Sequence, residues 1–483
     1  MASPSLSLGE GSNASKFTLT DNDLVVERAE DKKWPIVRTP LRNVLWAGIG
    51  TGNQLQVSLL AKKKRTSPLA LVHVTGTVPD ADIPAATAFT DSIMQLAYHG
   101  LTPCRRLKVI INPKSGPGKG AQIFRNKIEP VFRAARCPVD ATFTERGKHA
   151  QDIAQTLSLD QFDAIVVLSG DGIIYELFNG FAAHTDPARA FRMPITTVPM
   201  GSGNGSSLNL LGKAARLPDS TSIRHDSRPL LPLGRPMSVD VMSVLQNGQR
   251  TFSFMTSCLG LMASLDLGTE HLRFMGSQRF VVGFLREVIR HRPYSYRISI
   301  KVAESDKDKM MQNRDALRAQ AQALHGTPIS TYHASTSTHT GVPELKHIGP
   351  DVDKNGWITF DKSFNYFYAG KGPFVSVDLM QFPVSHPDDG FIDVVIAERT
   401  TRLALLKAIH GADHGTQYWT DVQHYFKAYA YRVEPLSPDG YLSIDGEEYP
   451  HEAFEVEVHQ GLGTFLSMYG HYKNEFHRPP ECK

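Results

Sequence analysis

The 483-residue chain has few cysteines, and no two of them stand in a Cys-x-x-Cys pair. The four are Cys104, Cys137, Cys258 and Cys482. This spacing excludes a zinc site of the usual cysteine type and a disulfide framework. We therefore expect reduced thiols in a cytoplasmic protein.

Long apolar runs are also missing, because no stretch reaches the roughly 18 residues that a membrane-spanning helix needs. The start, MASPSLSLGEGSNASK, lacks the basic-then-apolar order of a secretory signal, and Met-Ala lacks the glycine of a myristoylation site. A formal net charge of +3 is too small to indicate nucleic-acid binding. We expect contact with membranes to be peripheral.

The first part of the chain is rich in β-type patterns. Residues 1–16 are rich in Ser and Gly and are predicted to be disordered. Residues 17–103 show short strands followed by the helical stretch AATAFTDSIMQLAYHG, the order of a PH-like module, with a β-rich cap on the next domain as the alternative. The basic run Lys62 to Arg65 favours a solvated hairpin turn over a lipid-headgroup site.

From Leu107 onward, continuous apolar strands alternate with helical stretches, which predicts a parallel sheet covered by helices on both faces. We assign residues 104–225 to this α/β domain. Residues 226–483 consist mostly of strand patterns and predict an antiparallel sandwich or barrel. Within them, the polar stretch 305–343 is predicted to be a mobile insertion.

Two glycine-rich loops follow strands of the α/β segment: NPKSGPGKG (112–120) and PMGSGNGSS (199–207). Glycine lets the backbone approach a phosphate closely, and the helix that follows offers free N–H groups. Such loops lie together beyond the carboxyl ends of parallel strands. The first loop is neither a P-loop nor a GxGxxG fingerprint, but together the two loops predict a nucleotide site.

Between these loops, SGDGIIYELFNG places one carboxylate, Asp171, between Gly170 and Gly172. A carboxylate beside phosphates is repelled unless it binds a metal ion or accepts a proton from an attacking hydroxyl, as phosphoryl transfer requires. An N-cap for the helix beginning near Ile173, worth about 1 kcal/mol, is the alternative. That alternative does not explain the glycines, which would leave room for a ligand. Glu176 is left open between a metal or arginine partner and plain helix surface.

The segments VIINPKSGPGKG, SGDGIIYELFNG and PMGSGNGSSLN, in this order and spacing, resemble the catalytic domain shared by diacylglycerol kinases and sphingosine kinases. TERGKHA (144–150), SCLGLMASLDLGTEHLRFMGSQRF (257–280) and SIDGEEYP (443–450) make sphingosine kinases the closer resemblance. The likeness runs from about Leu107 to Tyr469. It implies an α/β nucleotide-binding domain followed by an antiparallel β-sandwich that binds lipid, with ATP in the cleft between them.

The resemblance also implies roles for single residues. Asp171 matches the acid proposed to deprotonate the primary hydroxyl of the lipid, and Asp266 matches the carboxylate that holds the polar head of the sphingoid base. Arg273 and Arg279 match a pair of arginines that engage the ATP phosphates. Nucleotide contacts are implied for Asn112, Lys114, Gly116, Thr144, Ser169, Gly170, Gly172, Gly201, Ser202, Gly203, Asn204, Asp445, Gly446 and Glu447.

A physical argument supports Asp266 independently, because a sphingoid base carries a cationic amine that a carboxylate can pair with, whereas diacylglycerol has none. Helix capping is the alternative for Asp266, and solvated helix surface is the alternative for the two arginines. Ser264 stands where relatives often carry a second acid, which puts head-group recognition in doubt. Lys114 stands where relatives often have Arg, which keeps the charge without the bidentate geometry.

We therefore expect an ATP-dependent kinase that converts sphingosine, dihydrosphingosine or phytosphingosine to the 1-phosphate. ATP and Mg²⁺ are the expected cofactors, with Mg²⁺ held mainly by the ATP phosphates and with Glu176 and Asp445 as candidate ligands. The alternatives are a ceramide or diacylglycerol kinase, a kinase of a soluble metabolite, and a non-catalytic lipid-binding scaffold. Transient membrane contact is expected, and a homodimer stays open.

Overall fold

The structure of the protein is a computed structural model. It describes residues 4–8, 14–28, 32–33, 35–64, 67, 69–115, 118–201, 204–213, 234–275, 278–324, 341–350 and 356–479. The predicted domain boundary at 225/226 lies outside these ranges.

Antiparallel strands and a closing helix make up the described N-terminal part. One sheet contains β1 (Ser5–Leu8), β2 (Ser15–Leu19), β3 (Asp23–Arg28) and β4 (Ile36–Pro40); another contains β5 (Val44–Gly50), β6 (Gln54–Lys62) and β7 (Leu69–Thr77); α1 (Ile83–Ala97) follows. β1 corrects the prediction of disorder for residues 1–16, because it pairs with β2 and buries Leu8 in the core. The basic run begins at the hairpin between β6 and β7, as predicted.

The next segment forms the predicted parallel sheet. Its strands are β8 (Leu107–Ile111), β9 (Val139–Phe143), β10 (Ala164–Ser169) and β11 (Ile195–Pro199), and they lie in the order β9-β8-β10-β11. Its helices are α2 (Gly120–Ile123), α3 (Glu129–Ala134), α4 (His149–Gln155), α5 (Gly172–Ala182), α6 (Pro187–Ala190) and α7 (Gly205–Leu211). Between α2 and α3 the helix widens into a π-helical turn, Phe124–Ile128, because Pro130 has no N–H to donate.

Both faces of this sheet are covered, as its apolar strands predict. Every residue of β10 is buried. Ile165 and Val167 pack in one cluster with Leu177 of α5, whereas Val166 packs in another with Phe132 of α3. Burial on both faces explains why the strand is a continuous apolar run rather than an alternating one.

The C-terminal half is rich in antiparallel strands. They are β12 (Arg235–Gln246), β13 (Gln249–Ser253), β14 (Thr256–Gly260), β15 (Tyr294–Glu304), β16 (Ile358–Gly370), β17 (Ile392–Glu398), β18 (Gln423–Pro435), β19 (Leu442–Ile444), β20 (Glu447–Tyr449) and β21 (Phe454–Ser467). The helices are α8 (Leu261–Asp266), α9 (Gln278–Arg290), α10 (Lys307–Leu324) and α11 (Arg402–Ala408).

Strand pairing runs without a break from this half into the α/β segment. β21 pairs antiparallel with β12 and β18, and its Phe465 also pairs in parallel with Ile195 of β11. The long strands β16 and β18 change partners along their length: the first half of β16 pairs with β15, and its second half pairs with β14 and β17. The two halves therefore share one sheet, and strands that change partners bend it.

The predicted mobile insertion at 305–343 needs correction, because α10 occupies residues 307–324. Arg314 of this helix is buried and donates to the carbonyls of Pro383 and Phe476, while Arg318 donates to the carbonyl of Asn474. The low apolar content suggested a mobile segment, but these arginines bind the C-terminal backbone instead. Residues 325–340 lie outside the described ranges.

None of the helices in the described ranges combines the length and the apolar character that crossing a bilayer requires.

Candidate active site

The ends of four neighbouring parallel strands bring the predicted nucleotide residues together. Ile111 of β8 pairs with Phe143 of β9 and with Leu168 of β10, so the residues that follow these strands lie at one edge. At that edge, Asn112 accepts the Lys114 amide through its side chain at 3.0 Å. The structure therefore assembles this edge as the glycine loops predicted.

Thr144 and Ser169 are buried at the ends of β9 and β10. The Thr144 amide donates to the carbonyl of Ile111 at 2.8 Å, and its hydroxyl points to the same oxygen at 3.4 Å. The carbonyl of Ser169 accepts the amide of Met200 at 3.2 Å. These hydrogen bonds join the strand ends to one another. The nucleotide contacts of Thr144 and Ser169 stay predictions.

Gly170 and Gly201 are in direct backbone contact across the edge. A Cβ on Gly201 would lie 2.7 Å from the Cα of Gly170, a distance that backbone atoms cannot accommodate. A Cβ on Gly172 would lie 3.4 Å from Oε1 of Glu447. Packing therefore requires glycine at Gly201, whereas Gly170 and Gly172 would each meet only an ordinary contact at 3.4 Å, so the room that a ligand needs remains the reason for the two glycines beside Asp171.

The carboxylate of Asp171 does not cap its own helix. α5 begins at Gly172, and the Asp171 side chain makes no capping hydrogen bond there. It accepts the first amides of α7 instead, from Gly205 at 2.8 Å and from Ser206 at 3.2 Å. The N-cap alternative is wrong, and the carboxylate spans the ends of β10 and β11.

Burial raises the pKa of Asp171 above its ordinary value, and polar contacts from Ser206 and Gly205 lower it only in part. The residue nevertheless keeps part of its surface accessible. A carboxyl group with a raised pKa is a stronger base when it is ionised, so it accepts a proton more readily from a hydroxyl beside it. The chemistry suited to this position is proton abstraction.

The loop after β11 folds back on itself. Asn204 has a left-handed backbone with φ of 51°, its side-chain oxygen accepts the amide of Gly201 at 2.8 Å, and its amide nitrogen donates to the Gly201 carbonyl. This conformation delivers the α7 amides to Asp171. The predicted contacts Gly116, Ser202 and Gly203 lie outside the described residues.

The Asp-Gly-Glu segment forms a hairpin. β19 and β20 are joined by the two-residue turn Asp445–Gly446, with φ of 51° and 84°. Positive φ at both positions matches the type I′ turn that Asp-Gly favours. From this hairpin Glu447 reaches Gly172, the residue after Asp171, and the Tyr449 hydroxyl lies 2.5 Å from that of Tyr175 on α5.

Asp445 does not face the nucleotide edge as a free ligand. It is buried and accepts the amides of Phe254, Met255 and Thr256 and the hydroxyl of Ser253, at 2.7 to 3.0 Å. Burial raises its pKa to about 6, and the hydrogen bonds from these groups oppose that shift. Its carboxylate anchors the turn between β13 and β14, so it does not fit a metal ligand.

Glu176 likewise has a structural role. Its two carboxylate oxygens accept the amides of Lys148 at 3.0 Å and Ala150 at 2.9 Å, the first turn of α4. Lys148 has a left-handed backbone and no cap of its own, so Glu176 supplies the missing acceptor. Among the described residues no group of three or more His, Cys, Asp or Glu could hold a metal ion. Both carboxylates named as candidate magnesium ligands, Glu176 and Asp445, are thus engaged by donors of the protein itself.

Asp266 ends α8 and lies against the same hairpin. Its carboxylate accepts the Ser443 hydroxyl at 2.6 Å, and the Arg279 guanidinium lies 3.8 Å away. Arg279 is buried and stacks over the ring of Phe280 at 4.4 Å. The structure thus places Arg279, which is expected to contact ATP, next to Asp266, which is expected to bind the lipid head group. For Arg273 only the backbone is described, in the 3₁₀ turn Glu270–Met275.

Some contacts of the site were not predicted. Gly205 and Ser206 bind Asp171 through their amides, and Ser443 binds Asp266. All three lie inside the quoted motifs, GSGNGSSLN and SIDGEEYP, so their position next to the motif residues is the signal that pointed to them. Their partners depend on long-range packing that the motifs do not show.

Comparison with known proteins assigns the class first. The description "Diacylglycerol kinase catalytic domain" matches residues 106–231. A crystal structure from Bacillus anthracis str. Sterne, assigned as a diacylglycerol kinase, shares the fold with a TM-score of 0.50 and 17% sequence identity over 75% of this chain and 97% of that chain. Residues 106–231 therefore resemble a diacylglycerol kinase catalytic domain, and the chain shares the fold of that solved structure.

Relatives similar in sequence identify a narrower family within this class. "Sphingoid long chain base kinase 4" of Schizosaccharomyces pombe is 31% identical over 432 residues, which cover 89% of this chain and 87% of the relative. "Sphingoid long chain base kinase 5" of Saccharomyces cerevisiae is 28% identical, covering 79% of this chain and 62% of the relative, and human "Sphingosine kinase 1" is 26% identical, covering 76% and 91%. The chain belongs to the sphingoid long chain base kinase family, and the resemblance is confirmed.

Proposed function

We propose that the protein transfers the γ-phosphoryl group of ATP to the primary hydroxyl of a sphingoid base and forms the 1-phosphate. The observation that carries the proposal is the position of the β19–β20 hairpin, which contacts Asp266 and lies beside the turn that carries Asp171. Ser443 of this hairpin donates to Asp266, and Glu447 lies beside Gly172 next to Asp171. The hairpin therefore binds the carboxylate proposed for the lipid amine and lies beside the turn that carries the carboxylate proposed for its hydroxyl, which the α7 amides hold.

In the proposed reaction Asp171 accepts the proton of the substrate hydroxyl. The oxygen left behind attacks the γ-phosphorus, the bond from that phosphorus to the bridging oxygen breaks, and ADP leaves with the bond electrons. Asp266 pairs with the substrate ammonium, and the strand-end amides lie where ATP phosphates are expected. A magnesium ion on the phosphates would neutralise their charge, with ATP rather than Glu176 or Asp445 as its main ligand.

The test is phosphate incorporation by the purified chain from labelled ATP into sphingosine, dihydrosphingosine, phytosphingosine, ceramide and diacylglycerol in mixed micelles. We expect labelling of the three bases. Ceramide and diacylglycerol carry no cationic amine. If they are labelled as fast as the sphingoid bases, and if Asp266→Asn does not change that rate, the substrate is one of these alternatives. No labelling of any lipid would leave a kinase of a soluble metabolite or the non-catalytic scaffold.

We also propose peripheral membrane contact through an apolar helix patch formed by α9 and α11. The helices are joined where Arg402 donates to the carbonyls of Val288 and Ile289, at 3.2 and 3.1 Å. The patch consists of the exposed residues Val281, Val282, Leu285, Ile289, Leu403, Leu406 and Ile409. Scattered single apolar residues are ordinary on a surface, but a set of seven on two packed helices supports a membrane or protein contact.

Vesicle sedimentation tests this patch. Ile289, the most exposed of its members at 73%, would lose about 1.5–3 kcal/mol of burial in Ile289→Ser, so binding to phosphatidylcholine vesicles should weaken about tenfold or more. Ile36→Ser, at an isoleucine of β4 that is 62% exposed, is the control. Equal weakening in both variants would contradict the patch. The proposed location is the cytoplasm, and light scattering would decide whether the chain forms the homodimer that stayed open.

The N-terminal part supports a PH-like module. Its order of β1–β4, β5–β7 and α1 is the order of strands and closing helix expected for that module. Its two sheets share a core in which Val26 and Leu59 pack with Ile93 of α1. Expression of residues 1–103 tests the proposal, because an independent module should give a cooperative unfolding transition.

A further inference from the structure

A groove of about 370 Å³ lies where the N-terminal part meets the α/β segment, away from the strand-end site. One wall is the sheet β5–β7, which contributes Trp46 and His73; the other is the helical stretch 124–134 together with Arg136. We call it the seam groove.

The two walls of the seam groove are held together by an apolar contact. Leu45 and Leu60, from β5 and β6, are buried in one cluster with Ile128 and Phe132 of the neighbouring helix. Because this contact is fully buried, the distance between the walls is set by packing. The groove is therefore a preformed feature of the docked N-terminal part.

Three guanidinium groups line the seam groove, from Arg125, Arg133 and Arg136, against a single carboxylate, Glu129. Glu129 pairs with Arg133 at 3.2 Å, which leaves two positive charges without a carboxylate in the groove. Arg125 makes no ion pair or hydrogen bond with any residue that the structure describes. The groove thus has an excess of positive charge.

Arg136 is held in a fixed orientation. Its guanidinium stacks over the Trp46 ring at 4.8 Å and donates to the side-chain oxygen of Gln56 at 3.0 Å. On the sheet wall, the Nδ1 atom of His73 lies 2.9 Å from the Ser58 hydroxyl, so the ring has a set orientation and its Nε2 atom remains for a ligand. An oriented guanidinium loses less entropy when it binds an anion.

We propose that the seam groove binds a phosphate monoester. Planar guanidinium groups match the oxygens of a phosphate in a bidentate manner. Arg125 and Arg136 are the main contacts, and His73 adds a further donor. Leu71, Pro130 and Ala134 line the groove between them and suit the ring or carbon skeleton that carries the phosphate. A ligand here touches both walls and so stabilises the docked arrangement of the N-terminal part. The proposal is independent of the reaction at Asp171.

Titration of the full-length protein with soluble inositol 1,4,5-trisphosphate tests the site. We expect saturable binding that weakens about tenfold or more in Arg125→Ser and in Arg136→Ser. Arg125 is exposed and without a partner among the described residues, so Arg125→Ser should fold as the wild type does. Arg42→Ser removes an exposed arginine that does not line the groove, and it should bind normally.

Hydrogen exchange identifies the location of binding. Bound ligand should protect amides on both walls, around 56–58 and 71–73 and in 125–136. Protection that spares one wall, absence of saturable binding, or an equal loss in Arg42→Ser would overturn the proposal.

Vesicles of phosphatidylcholine, with and without phosphatidylinositol 4,5-bisphosphate, distinguish the sources of the phosphate. Binding to the phosphoinositide vesicles that soluble inositol trisphosphate displaces would assign a lipid headgroup. Binding of the soluble compound alone would assign a free metabolite. Vesicle binding that depends on the phosphoinositide and that the soluble compound does not displace would contradict the groove as the site.

Discussion

Replacing Asp171 by Asn removes the proposed base while keeping the size of the side chain. The carboxylate accepts the Gly205 and Ser206 amides, and Asn can keep one of these bonds but turns its NH₂ group toward the other amide. A general base contributes about a hundredfold to ten-thousandfold to a rate. We therefore expect kcat to fall by that factor, which corresponds to about 3–5.5 kcal/mol of transition-state stabilisation.

The same substitution should change stability little at pH 7. Because burial raises the pKa of Asp171 in the folded state, the folded chain binds the proton more tightly than the unfolded chain does. The contribution of this group to stability is therefore present below the unfolded pKa and is lost as the pH rises through the folded pKa. Asn does not titrate, so the variant does not lose stability as the pH rises. This gain offsets the loss of one hydrogen bond, which is worth about 1 kcal/mol. Thermal unfolding should leave Tm close to that of the wild type.

Binding and pH profiles separate chemistry from folding. ATP affinity, measured by calorimetry, should stay equal or increase, since Asn removes a negative charge beside the phosphates. In the wild type, kcat should rise with pH through the raised pKa of Asp171, and this acid limb should be absent from the residual activity of the variant.

Glu176→Gln is the matched control because it alters a carboxylate on α5, the helix that directly follows Asp171. Gln keeps one acceptor for the α4 amides, so the variant should lose about 1 kcal/mol of stability and keep its kcat. Retention of more than a tenth of kcat in Asp171→Asn, or an equal loss of kcat in Glu176→Gln, would refute the assignment of the base.

Three further substitutions test other parts of the site. Asp266→Asn should raise KM for sphingosine about tenfold to a hundredfold and KM for ATP much less, because it removes the charge expected to pair with the ammonium while Arg279, 3.8 Å away, stays in place; an equal change in both constants would contradict a headgroup role. Gly201→Ala should lower Tm and reduce kcat more than tenfold, because its Cβ would lie 2.7 Å from the Cα of Gly170, whereas Gly248→Ala in an open turn should lower Tm slightly and keep kcat. For Asp445→Asn, we expect the free energy of unfolding, taken relative to that of the wild type, to increase by about 2–3 kcal/mol from pH 4 to pH 7. The reason is that burial raises the folded pKa of Asp445 to about 6, so the wild type loses stability as the pH rises through that value. A difference in unfolding free energy that stays constant across this range would show that the pKa is not raised.

Local sequence patterns carried much of the fold and part of the site. The continuous apolar run of β10 predicted a strand buried on both faces, and glycine loops after apolar strands predicted a shared edge. Asp-Gly at 445–446 adopts the two-residue hairpin turn that its backbone preferences favour. Each of these rests on neighbours within a few residues, for which the chain itself is sufficient information.

The roles of single carboxylates needed the tertiary structure. Asp171, Glu176 and Asp445 all looked like ligands for a metal, a nucleotide or a proton, yet Glu176 caps α4 and Asp445 anchors the turn before β14. Each carboxylate accepts whichever donors the packing brings to it, and a sequence motif does not specify those donors. α10 is a similar case, because its arginines bind carbonyls near the C-terminus that no local pattern identifies.

The sequence by itself therefore determined which residues could take part in phosphoryl transfer and at which edge of the sheet they stand. Only the tertiary structure decided which of them are free to react. It holds Asp171 against the α7 amides, 34 residues away, and it places Ser443 on Asp266 across 177 residues of chain. The physical reason is that burial and hydrogen-bond partners set the charge and reactivity of a carboxylate, and both arise from contacts between segments that are distant in the sequence.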